Sequence, residues 1–319
     1  MEALGITYAI VTILAWGSWL VPSQNVKFAN EQVKAFYMGI AAVLGGVVVV
    51  LVRGEWGQLL NIAAWIPLIG GLFWAVSAYF AFVGCKHIGI AKAMGIWAPL
   101  NIVVSFIWGF TLFGQFKDTS LLLQLIAIES VVIVIIGILM IIFSEGSKVE
   151  SSSGKKHSPL LGVLASCIAG ILWGSYYIPA AYLWGVTGGE EIVSPWTSAF
   201  PLALGILIGT IVLVIVSGKS PRLERSGDYI RALASGVLWT VGNYGMLLMV
   251  REIGTGPGYT LASLCVIVNA LWGIFFFKQP PPRSKAARLT LLGILLATLA
   301  GIVLGNLNAL EGMYQVTLK

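Results

Sequence analysis

The chain has 319 residues, of which 58% are hydrophobic and 10% charged, and its mean hydropathy is +0.92. That is too little polar surface to cover a soluble globule of this size, so the composition places the fold in a bilayer. The net charge of +6 does not point to nucleic acid, because the Lys and Arg residues sit at the ends of apolar runs and form no face of their own.

Ten apolar runs approach or exceed the roughly 20 residues a helix needs to cross about 30 Å of hydrocarbon: 4–24, 35–52, 62–84, 89–113, 121–143, 159–184, 195–217, 231–249, 256–277 and 289–308. The predicted class is an all-α integral membrane protein with ten transmembrane helices and no soluble domain. The first run is too long and aromatic for a secretory signal, and no alanine-type cleavage site follows it, so it is expected to be retained. It contains WGSWLVP, Trp16 to Pro22, and the sixth run contains WGSYYIP, Trp173 to Pro179. Proline removes a backbone donor and crowds the carbonyl four residues earlier. Pro22 and Pro179 are therefore expected to be hinges that leave the carbonyls of Ser18 and Ser175 without helical partners. At 100° per residue Trp16 and Trp19 share a face, as do Trp173 and Tyr176, while the Gly-Ser pairs are free to pack on a neighbouring helix.

The third run carries GLFWAVSAY (Gly71 to Tyr79), with Trp74 and Ser77 as candidate lining residues. Lys92 opens the fourth run, either snorkelling to the surface or serving as a cavity cation. Trp97, Asn101, Ser105 and Trp108 follow on one helix face. The fifth run holds Glu129, about 12 Å from its start at 1.5 Å per residue, where a carboxyl is expected to be paired, protonated or functional. Residues 144–158 read as a flexible Ser/Gly/Lys linker. In the eighth run Trp239 and Asn243 lie one turn apart, and in the ninth Leu261, Cys265, Asn269 and Trp272 repeat the stripe of the fourth. Trp with Asn suits a ligand with an apolar ring face and hydroxyls. Interhelical hydrogen bonding is the alternative for the amides, and an interfacial belt is the expected role of Trp108 and Trp272. Cys85, Cys167 and Cys265 show no metal spacing and read as small core residues.

Loop charge sets orientation. Fifteen of the 19 Lys and Arg residues flank the odd-numbered connections and four lie on the other side, so the odd connections are expected in the cytoplasm and both termini outside, in a plasma-membrane protein. The motifs recur in order: GVLWTVGNY (Gly236 to Tyr244) pairs with GLFWAVSAY, EIGTGPG (Glu252 to Gly258) with HIGIAKA (His87 to Ala93), and WGIFFFKQ (Trp272 to Gln279) with WGFTLFGQ (Trp108 to Gln115). Five helices per copy is an odd number, so the second copy enters from the opposite face. The expected organisation is a five-plus-five inverted repeat, with residues 1–143 as the first copy, 159–308 as the second and 309–319 as a short tail, enclosing a midplane site.

With these motifs the chain resembles the glucose/ribose porter family of the drug/metabolite transporter superfamily. The resemblance implies proton-coupled uptake of a monosaccharide through a cavity lined by helices one, three, four, six, eight and nine. Relatives often end helices four and nine with Gly-Glu, where this chain has Gly114-Gln115 and Lys278-Gln279, so those acids have no role here. The expected substrate-binding set is Trp16, Trp19, Trp74, Trp97, Asn101, Trp173, Tyr176, Trp239, Asn243 and Asn269, with Glu129 and Lys92 as ion-coupling candidates. The expected partners are a small neutral sugar and the lipid bilayer, with H⁺ as the coupling ion and no cofactor, metal or nucleic acid. No cluster of Lys or Arg marks the expected cavity, which disfavours phosphorylated sugars and nucleotides. Another small solute (an amino acid, amine or drug) remains the alternative, because fold does not fix function. The residues for catalysis, a nucleophile with its base or paired carboxylates at membrane depth, are missing.

Overall fold

A computed structural model of the chain describes residues 3–112, 120–144, 158–181, 183, 192–253, 261–262, 264–307 and 310–312. The helices are α1 (Ala3–Ser18), α2 (Glu31–Arg53), α3 (Pro67–Ile88), α4 (Ile90–Thr111), α5 (Leu121–Ile142), α6 (Pro159–Trp173), the four-residue α7 (Ile178–Ala181), α8 (Pro195–Ser217), α9 (Ser226–Ile253), α10 (Cys265–Leu271) and α11 (Lys285–Gly305). A π-helical turn, Trp272–Phe276, continues α10, and two 3₁₀ turns, Trp56–Leu60 and Ile62–Trp65, precede α3. Eight helical spans among the described residues are long and apolar enough to cross a bilayer, and Gly5–Ser18 and Cys265–Phe276 are shorter apolar helices. The chain is a multi-pass membrane protein. Residues 145–157 of the linker, Gly114-Gln115 and both ends of the chain lie outside the described residues.

Local chemistry sets the helix starts. Asn30, Ser120, Ser158, Ser194 and Ser284 each accept the amide three residues on, and Pro159 and Pro195 occupy first-turn positions where a missing N–H is harmless. The largest packing contacts join helices before the linker to helices after it: α1 on α9, α2 on α8 and α9, α3 on α6 and α8, α4 on α6, and α5 on α11. The α5 and α11 pair meets at glycine, since a Cβ on Gly137 would lie 2.5 Å from the Gly293 carbonyl oxygen and one on Gly293 the same distance from that of Gly137. Only a residue without a side chain allows this approach.

The proline segments differ from the hinge expectation. Both helices end outright: α1 stops at Ser18 and the chain turns through residues 19–25, while α6 stops at Trp173 and turns through 174–177 before α7. The carbonyls expected to be orphaned are satisfied, Ser18 by the Val21 amide (2.9 Å) and Ser175 by the Ile178 amide (3.2 Å). Three-residue bonds of this kind tighten a last helical turn. Pro22 lies in the turn with its carbonyl held by Arg231 Nε (3.0 Å), and the adjacent Ser23 amide donates to Ser235 Oγ (3.1 Å). Pro179 lies in the first turn of α7, where it breaks no bond.

At the opposite end of the bundle Glu55 ties the α2–α3 connection to the start of α8. Its carboxylate accepts from Ser194 Oγ (2.6 Å), Thr197 Oγ1 (2.7 Å) and Arg53 Nε (3.0 Å). Partial burial alone would raise its pKa, but the three hydrogen bonds and the Arg53 charge outweigh it and hold the group below the usual carboxylate range. A depressed folded-state pKa stabilises the fold above the unfolded value, near 4.5, and that stabilisation is lost as pH falls through the folded value. Glu55→Gln should therefore lower the melting temperature in detergent near neutral pH, and the gap to wild type should close as the pH drops below about 4. A gap that stays constant across that range would show that the carboxylate charge is not what holds α8.

Candidate functional site

Between the two sets of helices lies a cavity of about 70 Å³, walled mainly by Trp16, Trp19, Trp74, Trp97, Trp173 and Trp239. Asn101 and Tyr176 supply the amide and phenol, and Met94, Ala98, Ala262 and Cys265 fill the remaining wall. Trp173, at the end of α6, is the hub of the ring cluster, with centroids 5.3 Å from Trp97, 6.0 Å from Trp74 and 6.1 Å from Trp19. Trp74 and Trp239 are 4.5 Å apart. The Trp16 indole donates to the carbonyl of Trp239 (3.1 Å). Among the described residues no charged side chain lines the cavity. Behind Trp19 stands Phe82, at 5.8 Å, whose other neighbour is the Lys34 ammonium 4.6 Å from its ring. A larger recess of about 290 Å³, lined by Phe106, Phe110, Leu123, Ala127, Ile128, Leu307 and the amide of Gln124, offers too few polar groups to orient a polar ligand.

The broken helices position these rings, and two matching clamps hold the breaks. On one side the Trp272 indole donates to Ser18 Oγ (3.0 Å), Asn269 Nδ2 donates to the Gly17 carbonyl (3.3 Å), and a Cβ on Gly17 would strike Val268 Cβ at 2.4 Å. On the other the Trp108 indole donates to Ser175 Oγ (2.8 Å), Ser105 Oγ lies 3.4 Å from the Gly174 carbonyl, and a Cβ on Gly174 would strike Val104 Cβ at 2.6 Å. In each WGS motif glycine permits the approach, serine receives an indole from the other half, and tryptophan faces the cavity. Trp108 and Trp272 are thus helix ties and not the interfacial belt expected from their position.

Eight of the ten expected lining residues border the cavity: Trp16, Trp19, Trp74, Trp97, Asn101, Trp173, Tyr176 and Trp239. Asn243 and Asn269 do not. Asn243 is 3% exposed and accepts the Tyr176 hydroxyl at 3.3 Å, so it holds a wall residue from behind. Asn269 is fully buried in the clamp on Gly17. The ion-coupling candidates also lie elsewhere. Glu129 is on the exposed face of α5. Lys92 is 7% exposed and donates to the Ser144 carbonyl at the end of α5, where a cation complements the helix dipole. The sequence reading missed Met94, Ala98, Ala262 and Cys265, although Met94 and Ala98 lie on the face of Asn101 at helical spacing, and Ala262 and Cys265 occupy the repeat positions of Ala98 and Asn101.

Comparison with known proteins gives a consistent assignment. A protein of Enterococcus faecalis that carries the provisional name sugar uptake protein is 25% identical over 307 residues, covering 96% of this chain and 100% of the relative. The glucose uptake protein GlcU of Bacillus subtilis is 22% identical over 301 residues, covering 93% and 96%. A protein of known crystal structure shares the fold, with a TM-score of 0.64 at 15% identity over 96% of this chain and 99% of the other. Residues 7–307 match the sequence model of the sugar transport protein family, and the chain belongs to that family.

Proposed function

We propose that the chain takes up a neutral monosaccharide of the glucose or ribose type by alternating access, and that the tryptophan-walled cavity is the substrate site. The wall chemistry carries this reading. Indole faces bury the apolar C–H face of a sugar ring, the Asn101 amide can donate to a hydroxyl, the Tyr176 oxygen can accept from one, and the absence of charge among the described lining residues disfavours ionic solutes. The names of the Bacillus subtilis and Enterococcus faecalis relatives support sugar uptake. The family is one of transport proteins, not enzymes.

A drug/metabolite-type five-plus-five inverted repeat is the architecture that best accounts for the packing. Contacts come in repeat-related pairs, with α1 on α9 matched by α6 on α3, and α1 on α10 matched by α6 on α4. The two WGS clamps are another such pair. Trp74 and Trp239, equivalent residues of the two copies, touch each other, as residues near a pseudo-twofold axis must. Alternating access then follows as rocking of one copy against the other around the cavity. Proton coupling through Glu129 or Lys92 remains part of the proposal, but neither side chain lines the cavity, so the lining gives it no support.

Purified protein in liposomes should accumulate labelled glucose or ribose in preference to amino acids and amines, and an imposed pH gradient should raise the accumulated level. Uptake of a charged solute in place of sugars would overturn the substrate reading, and sugar uptake indifferent to the gradient would remove proton coupling alone. The geometry separates two amides. Asn101→Ala should weaken sugar binding roughly five- to 150-fold, the loss expected for one buried hydrogen-bond partner. Asn269→Ala should lower the melting temperature while changing affinity little. The reverse pattern would move the site away from Asn101. For topology, the charge bias places residues 144–158 in the cytoplasm, so Ser152→Cys in a cysteine-free background should resist an impermeant thiol reagent in intact cells. Ready labelling would invert the orientation.

A further inference from the structure

Among the wall residues the two WGS tryptophans are equivalent in sequence but not in bonding. Trp16 and Trp173 open the repeated motif, and Trp74 and Trp239 stand at matching places in the second repeated stretch. The Trp16 indole donates to the Trp239 carbonyl. The matching bond in the other copy would run from Trp173 to the Trp74 carbonyl. It is not made, although the Trp74 and Trp173 rings are in contact at 6.0 Å. Trp173 is 7% exposed, and its Nε1 is buried with no acceptor among the described residues. Buried donors are almost always paired, and each exception needs a cause.

We propose that the Trp173 indole N–H is the donor held for the substrate, bonding one hydroxyl or ring oxygen of the sugar when the cage opens to admit it. The inference rests on the sugar reading above. The rings that bury this N–H also wall the cavity, so a sugar seated among them has to part them to reach it. Trp173 touches three of the other five wall indoles, so parting them frees its N–H toward the incoming ring. Trp16 cannot serve in the same way without breaking its bond to Trp239. A hydrogen-bonding site also discriminates far better than an apolar one, because an analogue lacking the acceptor leaves the buried donor unmet. Trp173 would then read one oxygen of the sugar, while the other rings read its shape.

The test measures equilibrium binding of glucose and its single-deoxy analogues to the purified full-length protein. In wild type one analogue should bind roughly five- to 150-fold more weakly than glucose. With Trp173→Phe, glucose should weaken by a similar factor and that analogue should fall no further. Replacing Trp173 by benzothienylalanine, which keeps the ring shape and puts sulfur in place of the N–H, should give the same pattern with an unchanged melting temperature. This second variant decides the matter even if the phenylalanine protein folds poorly. Trp16→Phe should retain the discrimination among analogues. Three results would overturn the proposal: unchanged glucose affinity in the benzothienyl protein, an affinity loss shared equally by all analogues, or slowed transport with binding and discrimination intact. The last would assign the N–H to a backbone acceptor in another conformation. A wild-type protein that binds no neutral sugar defeats the underlying function instead, and the two failures are distinct.

Discussion

A helix that stops inside hydrocarbon must find partners for its end groups within the protein, because lipid offers none. Two helices of this protein, α1 and α6, stop after 16 and 15 residues, short of the roughly 20 that a full crossing takes. Each end is held by a group from the other half of the chain, Trp272 and Asn269 for the first break, Trp108 and Ser105 for the second. Much of the rest depends on this. The breaks carry Trp16 and Trp173 to the centre of the molecule, and the clamps fix the helices that supply Asn101, Ala262 and Cys265 to the same cavity. A three-residue motif thus does three jobs: a ring for the wall, a glycine for the approach and a serine for the tie.

The cavity that results is apolar in area and polar at a few points, which is the usual composition of a small-molecule site. Its polar points belong to neutral groups whose orientation is set from behind, as Asn243 sets the Tyr176 hydroxyl and Ser105 contacts the Asn101 amide. Among the described residues, carboxylates and ammonium groups are kept out of it. Lys34 is separated from Trp19 by a phenyl ring, Lys92 is committed to the end of α5, and Glu55 is committed to the start of α8. A charged ligand would find no counter-ion among the described lining residues, whereas a hydroxylated one would find rings, one amide and a phenol.

How far the sequence could carry this reading depended on the kind of signal. The aromatic wall was legible because helical periodicity and the internal repeat both marked the same tryptophans. The amides were not, because a residue's place on a helix face does not say whether that face meets a cavity or another helix. Asn101 and Asn269 sit on equivalent faces of their helices, yet one borders the cavity and the other is buried on Gly17. Proline correctly marked irregular backbone at Pro22 and Pro179, but the expected orphan carbonyls never arose, since amides three residues on close both ends. Glu129 illustrates a third limit. Depth along a helix can be counted from sequence, but the direction of a side chain around it cannot when α5 is apolar on every side.

The two copies agree where the frame is built and differ where the cavity is lined. Gly17 and Gly174, Ser18 and Ser175, Val104 and Val268, and Trp108 and Trp272 match in type and in contact. Trp97 and Asn101 line the cavity from one copy, while Leu261 and Cys265 stand at their places in the other. If the proposed alternating access holds, a frame that rocks between two twofold-related arrangements needs equivalent contacts on both sides, or one arrangement would be held too strongly to leave. A lining that recognises a molecule without twofold symmetry, as proposed for this cavity, is under the opposite demand. The unequal bonding of Trp16 and Trp173 belongs to that second demand: the backbone acceptor is taken in one copy and left unused in the other, at the point where the frame gives way to the cavity.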